Sequence, residues 1–156
     1  MAKPEAIGGP EFTPLSEDLQ RVIDGSKTVA REYNSQFVEP QHIFLALLRL
    51  ERDKTIQPVI QSGEQMNLQA IIKTTESLMR PDPNINSQEK EPIFTRQCRK
   101  AFVYANSEAE SLGQDKIETR NMLTGIILQE QGPVTAVLQT HCLTKFIAQN
   151  ITRNAQ

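Results

Sequence analysis

The stretch LSEDLQRVIDGSKTVAREYNSQFVEPQHIFLALL, Leu15 to Leu48, returns as FTRQCRKAFVYANSEAESLGQDKIETRNMLTGII, Phe94 to Ile127, at a constant offset of 79 residues. In this register Leu15, Leu19, Val22, Ile23, Ser26, Ala30 and Tyr33 fall on Phe94, Cys98, Ala101, Phe102, Ala105, Ala109 and Leu112. Val38, Glu39, Ile43, Leu47 and Leu48 fall on Ile117, Glu118, Met122, Ile126 and Ile127. Size and polarity class persist where identity does not, as happens when a duplicated unit keeps one packing problem while its surface drifts. A duplicated helical unit favours a binding scaffold over an enzyme.

Within each copy the apolar residues mark helices. From Leu15 they recur at Leu19, Val22, Ile23, Ala30 and Tyr33, one stripe of an α-helix, and the same steps recur from Phe94. Ser16 and Thr95 stand where a hydroxyl accepts from an orphan amide of the first turn. Asn34 and Gly113 follow the two helices and tolerate a left-handed backbone, the usual stop signal. Pro40, suited to a first helical turn, leads into the almost wholly apolar run Ile43–Leu50, answered by Met122–Leu128. A helix without a polar face must be surrounded by others, so each copy is expected to have a central buried helix. Ile56, Val59 and Ile60, with Val134, Val137 and Leu138, suggest a third short helix. Leu68, Ile71, Ile72 and Leu78, answered by Phe146, Ile147 and Ile151, suggest a fourth.

The expected fold is therefore all-α, about eight helices as two four-helix repeats related by a pseudo-two-fold. Alternation is never sustained, so no strand is expected. Residues 1–11 carry Pro4, Gly8, Gly9 and Pro10 and little apolar surface, which predicts a leader outside the fold. The domain is then 12–156, with repeat one over 13–80, a linker over 81–92 where Pro81, Pro83 and Pro92 break every apolar period, and repeat two over 93–153.

Composition narrows the function. At 156 residues the chain buries enough surface to fold without disulfide or metal. Its 17 Lys and Arg against 19 Asp and Glu leave a net charge of −2 and no basic footprint for nucleic acid. Cys98 and Cys142 lie far apart, Cys98 at an apolar position of the repeat where a thiol serves as a small hydrophobe, which fits a reducing, cytoplasmic setting. No apolar run reaches the roughly 18 residues of a membrane span, and the N-terminus lacks a secretory signal.

Catalytic candidates each meet a simpler explanation. None of the seven glycines forms a phosphate-cradling loop followed by Lys and Ser or Thr, so no P-loop nucleotide site is present. His141 and Cys142 are adjacent, diverge by about 100° on a helix, and have no second pair at ligand spacing, so no metal or other cofactor is expected. His42 opens the buried helix of the first copy with no nucleophile or paired carboxylate assignable beside it, and reads as a local hydrogen-bonding residue. Glu39 and Glu118 sit ahead of their helices, where negative charge suits the dipole. Glu51–Lys54, Glu108 and Glu110 read as mixed or solvated helix faces. The sequon Asn150-Ile151-Thr152 carries no weight without signs of secretion.

What remains is geometry: two like units meeting about a local two-fold create a groove or paired pockets suited to protein segments. The motifs that surround it resemble a known family. Leu15-Ser16 and its helix, followed by Asn34-Ser35-Gln36-Phe37-Val38-Glu39-Pro40-Gln41-His42 and the apolar run to Leu48, resemble the first repeat of the Clp N-terminal domain, with Gln36 to His42 nearest the ClpB-like branch. Phe94-Thr95, Ala109, Leu112-Gly113 and Ile117 resemble its second repeat. The resemblance runs from about Phe12 to Arg153.

This resemblance implies a helical recognition domain ahead of the AAA+ rings of a ClpA, ClpB or ClpC type chaperone-unfoldase. Such a domain takes unfolded or misfolded protein segments or an adaptor protein and passes them to ATPase modules in cis or trans. The isolated domain is expected to be monomeric, without membrane or nucleic acid partners. In the ClpC branch, a Thr at the first helix start and a Glu before the His hold phosphorylated arginine. The hydroxyl persists here as Ser16 and Thr95, but the acidic positions are Gln41 and Arg120 and the second His is Asn121. A guanidinium there loses its charge-assisted partner, and Arg120 repels it. Ser16, Gln41, Thr95 and Arg120 are the candidate peptide- or adaptor-binding residues, with capping as their structural alternative. Two other readings stay open, a free-standing accessory protein of a Clp protease or secretion-linked ATPase, and a small enzyme using His42.

Overall fold

Helix starts and stops in this chain obey local chemistry. In the computed structural model, which describes residues 12–50, 68–79 and 91–128, Ser16 Oγ accepts from Leu19 N at 3.1 Å and opens α1, Glu17–Glu32. Asn34 at φ 55° closes it, and Ser35 N reaches back to Ala30 O at 2.8 Å. In the second copy, Thr95 Oγ1 accepts from Cys98 N at 3.4 Å and opens α4, Arg96–Ser111. Gly113 at φ 69° closes that helix, with Gln114 N bonded to Ala109 O at 2.9 Å. Both stops are the left-handed C′ closure, one made by Asn and one by Gly.

Between them, in chain order, lie β1 (Phe37–Val38), α2 (Pro40–Leu50), α3 (Leu68–Ser77) and β2 (Ile93–Phe94), and α5 (Thr119–Ile127) follows α4. Pro40 begins α2, where its missing amide is harmless. Gln41 through Leu48 are all buried, as are Asn121 through Ile127 of α5, so both central helices are enclosed except at the ends of the expected runs, where Arg49, Leu50 and Leu128 are exposed. α1 packs on α2, α4 packs on α5, and α2 meets α5 between the copies. The stripe of α1 that faces inward is Leu19, Val22, Ile23, Ser26, Val29 and Ala30; that of α4 is Cys98, Ala101, Phe102, Ala105, Asn106 and Ala109. Five of these positions coincide at the 79-residue offset. Phe12 closes one end, its ring edge-on to Phe102 with centroids 5.2 Å apart. Arg49 ties α2 to Glu32 of α1 and Glu76 of α3, both at 3.1 Å.

The expectation of no strands is corrected. β1 and β2 form a parallel pair with Phe37 opposite Ile93 and Val38 opposite Phe94, and a further parallel bridge joins Leu15 to Ile117. Two-residue strands are too short for alternation to register in a sequence. The bridges are reciprocal: Thr95 N donates to Val38 O at 3.0 Å, and Ser16 N to Ile117 O at 2.9 Å, each partner moved by 79 residues and the copies exchanged. That is the exchange a local two-fold produces. Ile93 N adds a bond to Gln36 O at 3.1 Å, but its equivalent is Pro14, which has no N–H, so the Leu15 bridge is one bond shorter.

The described residues contain five helices, mostly α-helical structure as the sequence requires. The fourth helix expected from Leu68 to Leu78 is α3. The segments around Ile56, Val134 and Ile147, and the leader before Phe12, lie outside the described residues.

Candidate functional site

Because the bridges run crosswise, each long helix begins against the link of the other copy. Thr95 sits on the Val38–Glu39 link that opens α2, and Ser16 on the Ile117–Glu118 link that opens α5. The four candidate residues are therefore joined as Thr95 with the approach to Gln41, and Ser16 with the approach to Arg120. Sequence order alone pairs Ser16 with Gln41 and Thr95 with Arg120. Ser16 and Gln41 are buried, Thr95 is half-buried, and Arg120 is exposed. Both hydroxyls accept from their own helices, and Gln41 Nε2 donates to Glu39 Oε2 at 2.7 Å.

The links are set by their third helical residues. His42 Nδ1 accepts from Glu39 N at 2.9 Å, and Asn121 Oδ1 accepts from Glu118 N at 2.7 Å. An acceptor three residues into the helix caps the backbone that enters it, whether imidazole or amide supplies it. The bond places the proton of neutral His42 on Nε2, and burial pushes its pKa down to about 4. Asn121 also brings an amide donor into a fully buried site, and Glu108, at the position equivalent to Val29, receives it at 2.6 Å. Glu108 is thus half-buried and engaged, a correction to its reading as a solvated residue. Gln114 completes the set, Nε2 to Asn121 Oδ1 at 2.8 Å.

The thiol at the first link is withdrawn from solvent. Cys98 is fully buried, its thiol donates to Val38 O at 3.1 Å, and burial, opposed by the Thr95 hydrogen bonds, pushes its pKa up to about 12. Among the described residues no three His, Cys, Asp or Glu side chains are grouped to hold a metal ion. His141 and Cys142 lie outside them. Among the described residues no helix is long and apolar enough to cross a membrane.

A model of the Clp repeat (R) N-terminal domain matches residues 14–141, most of the chain and all of both links. The chain belongs to this family. Over 128 residues it is 26% identical to a probable ATP-dependent Clp protease ATP-binding subunit of Chlamydia pneumoniae, a match covering 82% of this chain and 15% of that protein. The match spans about a seventh of the curated relative's length. Among solved structures, the Hsp104 N-terminal domain of Candida albicans is similar with a TM-score of 0.76 at 10% identity, covering 92% of this chain and 93% of that one. The N-terminal domain of the ClpV1 ATPase from the E. coli EAEC Sci1 type VI secretion system is similar with a TM-score of 0.67 at 16% identity, covering 90% of this chain and 85% of that one. At these identities the structures share the Clp N-terminal fold.

Two features of the site escape sequence reasoning. Phe37 and Ile93 face outward side by side from the paired strands, 45% and 40% exposed. Arg96, Arg99 and Lys100 are exposed in the first turns of α4, directly beyond β2. Phe37 lies within the diagnostic link, but only the pairing of β1 with β2 reveals that it is outside and has an apolar neighbour.

Proposed function

We propose that this Clp N-terminal domain is a non-catalytic protein-binding module of a Clp-type AAA+ chaperone or unfoldase. It takes unfolded substrates or an adaptor protein and passes them to ATPase modules in cis or trans. One observation carries the reading. The two residues with reactive side chains at the links, His42 and Cys98, are both buried and hydrogen-bonded within the scaffold, while apolar side chains stand outside on the paired strands. A rigid scaffold with buried reactive groups and an exposed apolar face suits recognition better than bond-making.

The reading extends to organisation. On this reading residues 13–80 and 93–153 are two four-helix repeats, about eight helices in all, joined by 81–92. Ser16 and Thr95 contribute through the caps that open α1 and α4 against the links, and Gln41 and Arg120 through the first turns of α2 and α5 that follow them. Gln41 and Arg120 supply no carboxylate for a guanidinium, which disfavours phosphoarginine as cargo, more strongly in the second repeat than in the first. Affinity for a single segment is modest and is raised by multivalency in a ring.

Titrating the full 156-residue chain with a permanently unfolded model protein, and separately with a candidate adaptor, while following amide chemical shifts tests this reading. Shifts clustered on residues 36–42 and 93–100 are expected. Shifts confined to residues 1–11, or none with either partner, rule it out.

A further inference from the structure

The two bridges are equivalent in the backbone but opposite in surface chemistry. At the β1–β2 pair the outward positions are Phe37 and Ile93; at the Leu15–Ile117 bridge the equivalent positions are Lys116 and Pro14. The helix beginning beside the first pair opens Arg96-Gln97-Cys98-Arg99-Lys100, and the one beside the second opens Glu17-Asp18-Leu19-Gln20-Arg21, where Arg21 keeps the charge of Lys100 but is paired with Asp18. The buried stripes of the copies have been kept while this surface has reversed in both polarity and charge.

The reversal has a direction. Acidic residues complement the N-terminus of α1, whereas cations in the first turns of α4 oppose its dipole. Among the described residues, the bond from Arg99 Nη1 to Phe94 O at 2.9 Å is the polar contact that holds any of the three. That bond draws the Arg99 guanidinium onto the backbone of β2. The carboxylates flanking the strands are already engaged, Glu39 by Gln41 at 2.7 Å and Glu91 by Lys27 at 2.5 Å. Lys27 also lies 5.7 Å from the centre of the buried Phe94 ring, so its charge is spent on Glu91 and on the core side of β2. Local interactions that oppose the fold without compensation inside it mark surfaces kept for another purpose.

We infer that the Phe37–Ile93 face is the docking surface of this domain and that it selects protein segments combining apolar side chains with carboxylates. The inference rests on the protein-binding reading above and names the chemistry of the cargo. Strands about 4.8 Å apart place Phe37 and Ile93 as one apolar step, on which an apolar side chain of the segment sits. Arg96, Arg99 and Lys100 then face its neighbouring carboxylates, which also steer the encounter. The dyad-related face, with Lys116, Pro14, Glu17 and Asp18, offers no such step.

Three fluorescein-labelled peptides with the same apolar residues, and Glu, Gln or Lys at the intervening positions, test this by anisotropy with the full chain. The Glu peptide is expected to bind about tenfold tighter than the Gln peptide, an advantage that shrinks as salt rises. Phe37→Ser and Ile93→Ser should each weaken it by on the order of tenfold, as removal of an anchor does. Arg96→Glu with Lys100→Glu should transfer the preference to the Lys peptide, and Lys116→Ser should leave it unchanged. Equal binding of the Glu and Gln peptides by the unaltered chain overturns the inference, as does wild-type affinity in the Phe37 and Ile93 variants. A permanently unfolded protein run in parallel separates the two levels. If it binds while the peptides show no charge preference, this inference fails and the binding-module reading stands; if nothing binds, both fail.

Discussion

His42 and Asn121 perform the same task 79 positions apart. Each side chain accepts the backbone N–H of a glutamate three residues earlier, at 2.9 Å from Glu39 and 2.7 Å from Glu118. The histidine most suggestive of catalysis is therefore a capping residue, and an amide replaces it in the second copy. The replacement is coupled to a second one, since Glu108 stands where the first copy has Val29 and receives the donor that Asn121 adds.

The His42 cap makes stability depend on pH. Burial lowers its pKa from 6.5 to about 4, so between these values the unfolded chain binds more protons than the native one and stability rises with pH. The contribution is complete above pH 6.5 and is lost as pH falls through about 4, amounting to about 3 kcal/mol. His42→Asn supplies a non-titrating acceptor. Urea unfolding at pH 7 and pH 4.5 should show a clear acid loss in the natural chain and a much smaller one in the variant.

Gly125 lets α5 press onto α4. A Cβ there would overlap the carbonyl oxygen of Ala101, a backbone atom that cannot swing aside. Gly125→Ala should cost about 1–3 kcal/mol or more by urea denaturation, the range for overpacking. At Gly25 an added Cβ would meet only the tip of Leu50 at 2.8 Å, the end of a flexible and half-exposed side chain. Gly25→Ala should be close to neutral, because a helix gains from Ala roughly what that adjustment costs.

The two helix stops predict an asymmetric substitution result. Gly113 at φ 69° has nothing within 4 Å of an added Cβ, so only backbone strain opposes a side chain there. Gly113→Ala should cost about 1 kcal/mol, whereas Gly113→Asn should cost less, since Asn34 holds φ 55° at the equivalent stop. Thermal melts of both variants check the order.

Removing the caps separates structure from recognition. Ser16→Ala and Thr95→Ala should each destabilise by about 1 kcal/mol, with Ser16 the more costly because its bond is shorter, 3.1 Å against 3.4 Å. If the hydroxyls act only through the caps, both variants retain peptide affinity under conditions where they are fully folded. A tenfold loss of affinity in either would make that hydroxyl a direct contact.

Much of the helical layout was legible from residues 15–48 and 94–127. The stripes, the Ser16 and Thr95 starts and the Asn34 and Gly113 stops appear where the sequence places them, and the apolar runs after Pro40 and from Met122 are enclosed up to Leu48 and Ile127, short of the exposed Leu50 and Leu128. His42 was legible as a hydrogen-bonding residue, but its partner was not. The strands were missed, and with them the outward pair Phe37 and Ile93, because one alternation over two residues is indistinguishable from a loop. Glu108 was misread since its charge looks the same on paper whether it meets water or Asn121.

By itself the amino-acid order determined that this chain makes two like sets of helices. Helix periods, caps and left-handed stops depend on neighbours within about four residues, which a linear reading contains. Only the tertiary structure decided that each helix start abuts the other copy's link, and which side chains of that link stay outside. Those outcomes rest on bonds between residues such as Thr95 and Val38, or Ser16 and Ile117, which come together only when the two copies pack.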